Sequence, residues 1–150
     1  MKKVILFFSL FCFDVFAYDL PKFISLKASE ANVRSGPGLN FPVKWMLVSK
    51  NMPLEVSDIY ENWYKVKDQD NKEGWLHKSL LSRKRYFVVT NSKVKLYRNP
   101  KYPPFSFFLE KNVRGRLLSC RDKWCKVKIG KIKGWLKKGD IWGAYQNEEI

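Results

Sequence analysis

Residues 61–67 read Glu-Asn-Trp-Tyr-Lys-Val-Lys, and 61 residues further on residues 122–128 read Asp-Lys-Trp-Cys-Lys-Val-Lys. In both stretches a tryptophan is followed by lysines at every second position, with Tyr or Cys and then Val between them. Alternation with a period of two is typical of a β-strand whose two faces differ. The recurrence of the whole stretch indicates that the chain contains a duplicated β unit.

Two further anchors repeat in the same order. The triplet Gly-Trp-Leu at 74–76 returns at 134–136, an offset of 60 residues, and residues 33–37 align with residues 96–100 at an offset of 63. Ordered anchors with small insertions or deletions between them are typical of a duplicated domain. A single strand motif would not explain their order.

The duplication predicts two units, residues 24–82 and residues 85–143, with a C-terminal tail of residues 144–150. No segment keeps apolar residues at i, i+3 and i+4 over three turns, whereas short β-rich runs between polar turns are frequent. Several short antiparallel strands in a unit of about 60 residues indicate a small, strongly bent barrel. We therefore expect an all-β chain with two tandem small barrels.

The anchors also resemble a known family. Residues 32–38 read Asn-Val-Arg-Ser-Gly-Pro-Gly. Together with residues 62–66 (Asn-Trp-Tyr-Lys-Val) and 74–76, they resemble the bacterial SH3 (SH3b) domain. The second unit is similar to a variant form, because its front loop reads Tyr-Arg-Asn-Pro at 97–100. The chain as a whole resembles a tandem family of exported proteins from Gram-negative, chiefly alphaproteobacterial, species. This resemblance implies two SH3-like β-barrels with a binding role.

The first 17 residues predict export. Two lysines precede the apolar run 4–13, and Val-Phe-Ala at 15–17 suits signal peptidase cleavage after Ala17. The run is too short to span ~30 Å of hydrocarbon and is followed by Asp14, so a membrane anchor is not expected. We predict a signal peptide over residues 1–17, a mature chain without a transmembrane segment, and a periplasmic location in a Gram-negative cell.

The chain is strongly basic. Its formal net charge is +15, and removal of a signal peptide carrying +1 leaves +14. This excess predicts attraction to polyanions, although it could equally keep a small protein soluble. For an exported protein the expected partners are a cell-wall polymer or peptide, or an envelope protein, and nucleic acid is not expected.

Two cysteines remain after the predicted cleavage, Cys120 and Cys125. An even count in an exported chain favours a disulfide, and zinc would need more ligands than the single histidine, His77, supplies. By the repeat, the cysteines align with Ile59 and Tyr64, which should face each other across a hairpin at ~4.5–5.5 Å between Cα atoms. A disulfide accepts that separation. We predict a structural Cys120–Cys125 disulfide, with a redox switch as the alternative.

The sequence offers little for catalysis. His77 follows Gly-Trp-Leu directly, and the equivalent residue of the second unit is Lys137, so a solvated surface histidine is expected. Carboxylates are scattered among lysines, and residues 35–38 (Ser-Gly-Pro-Gly) contain no P-loop lysine. We expect no enzymatic activity, no cofactor and no metal site.

Alternation along the strands places four tryptophans on a lysine-rich face opposite the core. Aromatic faces stack on flat apolar surfaces and cations neutralise carboxylates, a combination that suits peptidoglycan or its peptides. The tryptophans could instead close a barrel end or pack between the units. Arg34 could clamp a carboxylate or hold its own loop. The candidate ligand-binding residues are Arg34, Trp63, Lys65, Trp75, Trp124 and Trp135.

These features favour a non-catalytic exported binding protein of the SH3b type that recognises peptidoglycan or its peptides. A protein–protein adaptor that tethers an envelope enzyme or complex is the main alternative. Binding to anionic lipid head groups is a third.

Overall fold

The computed structural model describes residues 19–101 and 105–150. The predicted signal peptide and its cleavage site after Ala17 lie outside these ranges. Within them the chain forms fourteen strands in two seven-stranded antiparallel sheets, one for each repeat. The predicted all-β architecture of two tandem SH3-like barrels is confirmed. None of the helices in the described ranges has the length and hydropathy that crossing a bilayer requires.

The first sheet contains the strands β1 (Lys22–Leu26), β2 (Ala31–Arg34), β3 (Val43–Leu47), β4 (Pro53–Tyr60), β5 (Trp63–Lys67), β6 (Glu73–His77) and β7 (Leu81–Ser82). Across the sheet their order is β3-β2-β6-β5-β4-β1-β7. A 3-10 turn, Lys78–Leu80, joins β6 to β7.

The second sheet contains the strands β8 (Tyr86–Val89), β9 (Val94–Tyr97), β10 (Phe105–Leu109), β11 (Arg114–Arg121), β12 (Trp124–Ile129), β13 (Ile132–Lys137) and β14 (Ile141–Trp142). Their order is β10-β9-β13-β12-β11-β8-β14, which is the order of the first sheet with each strand replaced by its repeat. A second 3-10 turn, Lys138–Asp140, precedes β14.

Each unit encloses its own apolar core, because alternate residues of its strands point inward. The first core contains Ile24, Leu26, Ala31, Val33, Leu47, Leu54, Val56, Val66 and Leu76. The second contains Phe87, Val89, Val94, Leu96, Leu117, Cys120, Cys125, Val127, Leu136, Ile141 and Ala144.

The predicted disulfide is confirmed. Ile59 pairs with Tyr64 across the hairpin of the first unit, and Cys120 pairs with Cys125 at the same place in the second. The two cysteines are joined by a disulfide with their Cα atoms 4.1 Å apart. Both cysteines belong to the second core. The second unit thus has a covalent link where the first unit has the Ile59–Tyr64 pair.

A tryptophan that the sequence analysis did not single out lies between the units. The Trp142 ring packs edge-on against Phe23 with centroids 5.0 Å apart, and its Nε1 donates to the Pro53 carbonyl at 3.3 Å. The Lys67 ammonium lies 5.7 Å from the same ring, and Tyr145 packs on Phe23 at 4.6 Å. An aromatic cluster therefore joins the two barrels.

Residues 144–150 pack onto the second unit. Ala144 is part of its core, and Ile150 exchanges two backbone hydrogen bonds of 3.0 Å with Cys120. The sheets run from Lys22 to Ser82 and from Tyr86 to Trp142. The domain boundaries 24–82 and 85–143 stay predictions.

Candidate functional site

A groove of about 250 Å³ lies on the outer face of the first unit. It collects residues from β2, the front loop between β2 and β3 (residues 35–42), β5, the end of β6 and the 3-10 turn that follows it. Two of the predicted site residues, Arg34 and Trp63, are among them. The lining residues are Glu30, Ala31, Asn32, Arg34, Leu39, Trp63, His77 and Leu80.

Trp63 and His77 form the aromatic part of this groove. They are direct partners across β5 and β6, and their rings pack edge-to-face with centroids 5.4 Å apart. His77 also caps the turn Lys78–Leu80, since its Nδ1 accepts the Ser79 N–H at 3.4 Å and lies 2.8 Å from the Ser79 hydroxyl. The imidazole is thus held in a fixed position beside the indole.

Arg34 organises the front loop. Its Nη1 donates to the carbonyls of Leu39 at 3.2 Å and Phe41 at 2.8 Å. A Cβ at Gly36 would lie 2.3 Å from the Phe41 ring, so glycine is needed for the loop to close on that ring. Arg34 therefore holds its own loop, and the loop carries Leu39 to the groove with 78% of its surface exposed.

Trp75 and Lys65 lie beside the groove and do not line it. Trp75 pairs with Lys65 on one side and with Arg34 on the other. The Lys65 ammonium forms an ion pair of 3.3 Å with Glu73, which leaves it partly neutralised. The net positive charge on this face of the first unit is therefore smaller than the number of lysines in the sequence pattern suggests.

The second unit has an aromatic–cationic cluster at the equivalent place. Trp124 pairs with Lys137, whose ammonium lies 5.8 Å from the indole ring, and the Tyr97 ring packs edge-on against Trp124 at 5.0 Å. Trp135 pairs with both Tyr97 and Lys126, whose ammonium is 6.0 Å from it. The predicted site residues thus fall into two clusters, one on each barrel.

All four predicted tryptophans are half-buried and lie outside the two apolar cores. Trp142, by contrast, takes part in the contact between the barrels. The described contacts of the four therefore leave part of each indole accessible to a ligand.

Six lining residues of the groove are not among the predicted site residues: Glu30, Ala31, Asn32, Leu39, His77 and Leu80. His77 could have been found from strand register, because it lies opposite Trp63 in the β5–β6 pair. Leu39 could not, since its position depends on how the front loop closes on Arg34. In the described part of the chain, no group of three or more His, Cys, Asp or Glu residues could hold a metal ion.

The sequence was compared with known proteins and structures. A family model described as the bacterial SH3 domain matches residues 27–83 and 92–143. No curated protein matches the sequence.

Three solved structures are similar. NlpC2 of Trichomonas vaginalis has 12% identity and a TM-score of 0.40, and the match covers 88% of this chain and 51% of that one. NlpC1 of the same organism has 11% identity and a TM-score of 0.39, with 92% and 51% covered. An NlpC/P60 family protein from Bacillus cereus ATCC 10987 has 19% identity and a TM-score of 0.36, with 86% and 58% covered. The chain thus spans between about half and three fifths of the length of these structures.

One family match falls on each sheet and includes all of its strands except the first, β1 or β8, and the two matches together cover well over half of the sequence. The chain belongs to the bacterial SH3 domain family.

Proposed function

We propose that this chain is a non-catalytic, exported binding protein that recognises peptidoglycan or its peptides through the groove of the first unit. The observation that carries the proposal is the convergence of Arg34, Trp63 and His77 in one preformed groove. The groove combines an aromatic surface with hydrogen-bonding groups, as sites for sugars and peptides do.

The aromatic part supplies most of the binding energy. The exposed part of the Trp63 indole can stack on the apolar face of a sugar ring or on a peptide side chain. Leu39, which also lines the groove, adds apolar surface. Because His77 and the front loop are fixed by their own contacts, ligand binding costs little conformational entropy in this part of the protein.

The polar part supplies orientation. Asn32 offers an amide, and Arg34 has donors besides the Nη1 that holds the loop. These groups can pair with hydroxyl, amide and carboxylate groups of a muropeptide. Glu30 at the same groove accepts hydrogen bonds, so ligand binding there does not depend on positive charge alone.

The proposal of a non-catalytic role rests on the site chemistry. His77 and Ser79 are within hydrogen-bond distance, but this contact caps a 3-10 turn, and no carboxylate hydrogen-bonds to His77 in the described part of the chain. A Ser–His pair works as a nucleophile when a third group orients the base and donors stabilise the oxyanion.

Export to the periplasm is supported by the predicted signal peptide and by the Cys120–Cys125 disulfide, because disulfides persist in oxidising compartments.

Co-sedimentation of the mature protein with purified sacculi tests the proposal. We expect wild-type protein to be retained at low salt and to remain partly bound at moderate salt, since stacking is not screened. Trp63→Ala should reduce retention about tenfold, the loss expected when ~1.4 kcal/mol of stacking is removed. Phe107→Ala is a matched control, because Phe107 is an exposed aromatic (49%) outside the groove.

Failure of wild-type protein to sediment with sacculi at low salt would contradict the proposal. So would equal losses for Trp63→Ala and Phe107→Ala. Recovery of one stoichiometric envelope protein in a pull-down, without sacculus binding, would favour the adaptor function. Flotation with anionic but not neutral vesicles would favour lipid binding.

A further inference from the structure

A second cavity of the first unit is lined by Lys78 of the turn Lys78–Leu80, whereas the groove is lined by Leu80 of the same turn. It measures about 200 Å³ and contains three cationic residues and no acidic one. We call it the basic pocket. Its lining residues are Lys22, Ile24, Tyr64, Lys78, Leu81, Ser82 and Arg83.

Strand register identifies the residues of the second unit that correspond to this pocket. Ser25 pairs with Ser82 in the first sheet, and Val88 pairs with Trp142 in the second. The offset of 63 between Ser25 and Val88 makes Arg85 the counterpart of Lys22.

Lys78 and Lys138 correspond as well. Each begins the 3-10 turn of its unit. The N–H of Lys78 donates to the Asn62 carbonyl at 2.8 Å, and that of Lys138 donates to the Lys123 carbonyl at 2.9 Å, at the same place in each hairpin.

In the second unit these two cations hold an acidic segment of the chain itself. Arg85 binds the Glu148 carboxylate with both terminal nitrogens, at 2.5 and 2.8 Å. The Lys138 ammonium donates to the carbonyls of Gln146 at 3.2 Å and Glu148 at 2.6 Å. Under this segment Lys138 is 1% exposed.

In the first unit no acidic segment of the described chain covers Lys78, the counterpart of Lys138. Lys78 and Arg83 are exposed, and within the described residues neither side chain pairs with a carboxylate. Ser82 stands where the second unit has Trp142, and Arg83 where it has Gly143. The first unit therefore has more room and one more positive charge at this position.

We propose that the basic pocket binds an acidic, extended segment of a partner protein, in the way that the second unit binds residues 146–148. A carboxylate of the partner pairs with Lys78 and Lys22, and the Arg83 guanidinium takes a second carboxylate or backbone carbonyls. Tyr64 forms the apolar wall against which the segment packs. This site uses a different surface from the groove and does not depend on the function proposed for it.

Fluorescence anisotropy with the mature protein tests the proposal. The probe is a labelled, N-acetylated peptide of the sequence of residues 144–150 (Ala-Tyr-Gln-Asn-Glu-Glu-Ile), and its twin carries Gln in place of both Glu. We expect saturable binding of the Glu peptide, at least tenfold weaker binding of the Gln peptide, and at least a tenfold loss for the double variant Lys78→Gln/Arg83→Gln.

The matched control is Lys50→Gln/Lys111→Gln, which removes the same charge at two exposed turn positions outside the pocket. It should change the affinity less than twofold. Because all four side chains are exposed, the fold of both variants is expected to persist, and circular dichroism checks this.

Four results would overturn the proposal: no peptide binding at millimolar concentration, equal affinity for both peptides, equal losses in the two double variants, or binding of anionic vesicles in preference to the peptide. Sacculus retention separates the two sites. Lys78→Gln/Arg83→Gln should leave it unchanged, while Trp63→Ala should lower it and leave peptide binding intact.

Discussion

Arg85 and Glu148 form a bidentate ion pair between residues 63 positions apart, with side chains only 17% and 22% exposed. Burial by itself raises the pKa of Glu148. Hydrogen bonds from Arg85 and from the Tyr145 N–H, with the charges of Arg85 and Lys138, outweigh it and lower the pKa below its ordinary value. Residues 144–150 are therefore fastened to the second barrel by a carboxylate that must be ionised.

Glu148→Gln should lower the free energy of unfolding by about 1–3 kcal/mol at pH 7, the range for a lost hydrogen bond to a charged group. A carboxylate whose pKa is lower in the folded state stabilises the fold fully above its unfolded pKa, and this stabilisation disappears as the pH falls through the folded value. The difference between wild type and variant should therefore shrink in acid. Urea denaturation across pH measures it.

Glu149→Gln is the control for this experiment, because Glu149 is the exposed neighbour of Glu148. It should change stability by less than about 0.5 kcal/mol at any pH. A Glu148→Gln cost that does not depend on pH would contradict the assignment of the effect to the ionised pair.

Reduction of the Cys120–Cys125 disulfide should cost about 2 kcal/mol, the chain-entropy value for so small a ring. The loss should fall on the second unit, because both sulfurs lie in its core. Amide hydrogen exchange with and without reductant measures the effect for each unit separately. Equal loss of protection in both units would contradict a local structural role.

The fold was largely predictable because the repeat supplies strand order and register twice over. The alternation of Trp63 and Trp124 with lysines correctly separates core-facing from outward-facing positions, and the alignment of Cys120 with Ile59 correctly identifies a facing pair. These features depend on residues close in sequence. Local pattern is enough to find them.

The contacts that the sequence did not reveal join distant segments. Trp142 has Ser82 as its counterpart in the first unit, so the repeat says nothing about it, and its packing on Phe23 depends on how the two barrels meet. Nothing in the sequence around Lys138 predicts that it is buried, yet the backbone of residues 146–148 covers it and accepts its hydrogen bonds. The sequence allows Arg34 two roles, and its bonds to the front loop are visible only once that loop is closed.

Two glycines with positive φ should respond very differently to alanine. Gly130 has φ 57° and nothing within 4 Å of an added Cβ, whereas Gly143 has φ 130° and its Cβ would lie 2.3 Å from the Tyr86 carbonyl. Gly130→Ala should cost about 1–2 kcal/mol of backbone strain. Gly143→Ala adds about 1–3 kcal/mol for displacing the backbone, so its total cost should be about 2–5 kcal/mol. Thermal and urea denaturation of both variants checks the order, and similar costs would contradict the close approach at Tyr86.

Trp142→Ala should weaken the contact between the barrels more than it weakens either barrel. The indole packs on Phe23, donates to Pro53 and lies beside Lys67, all in the first unit. Because Trp142 is half-buried, the cost should be about 2–3 kcal/mol, below the ~3–5 kcal/mol of a fully buried aromatic. Calorimetry should then resolve two unfolding transitions. Trp135→Ala is the control: Trp135 is also half-buried, but its contacts with Tyr97 and Lys126 lie within the second unit, so its loss should leave a single transition. If both variants unfold alike, Trp142 does not couple the barrels.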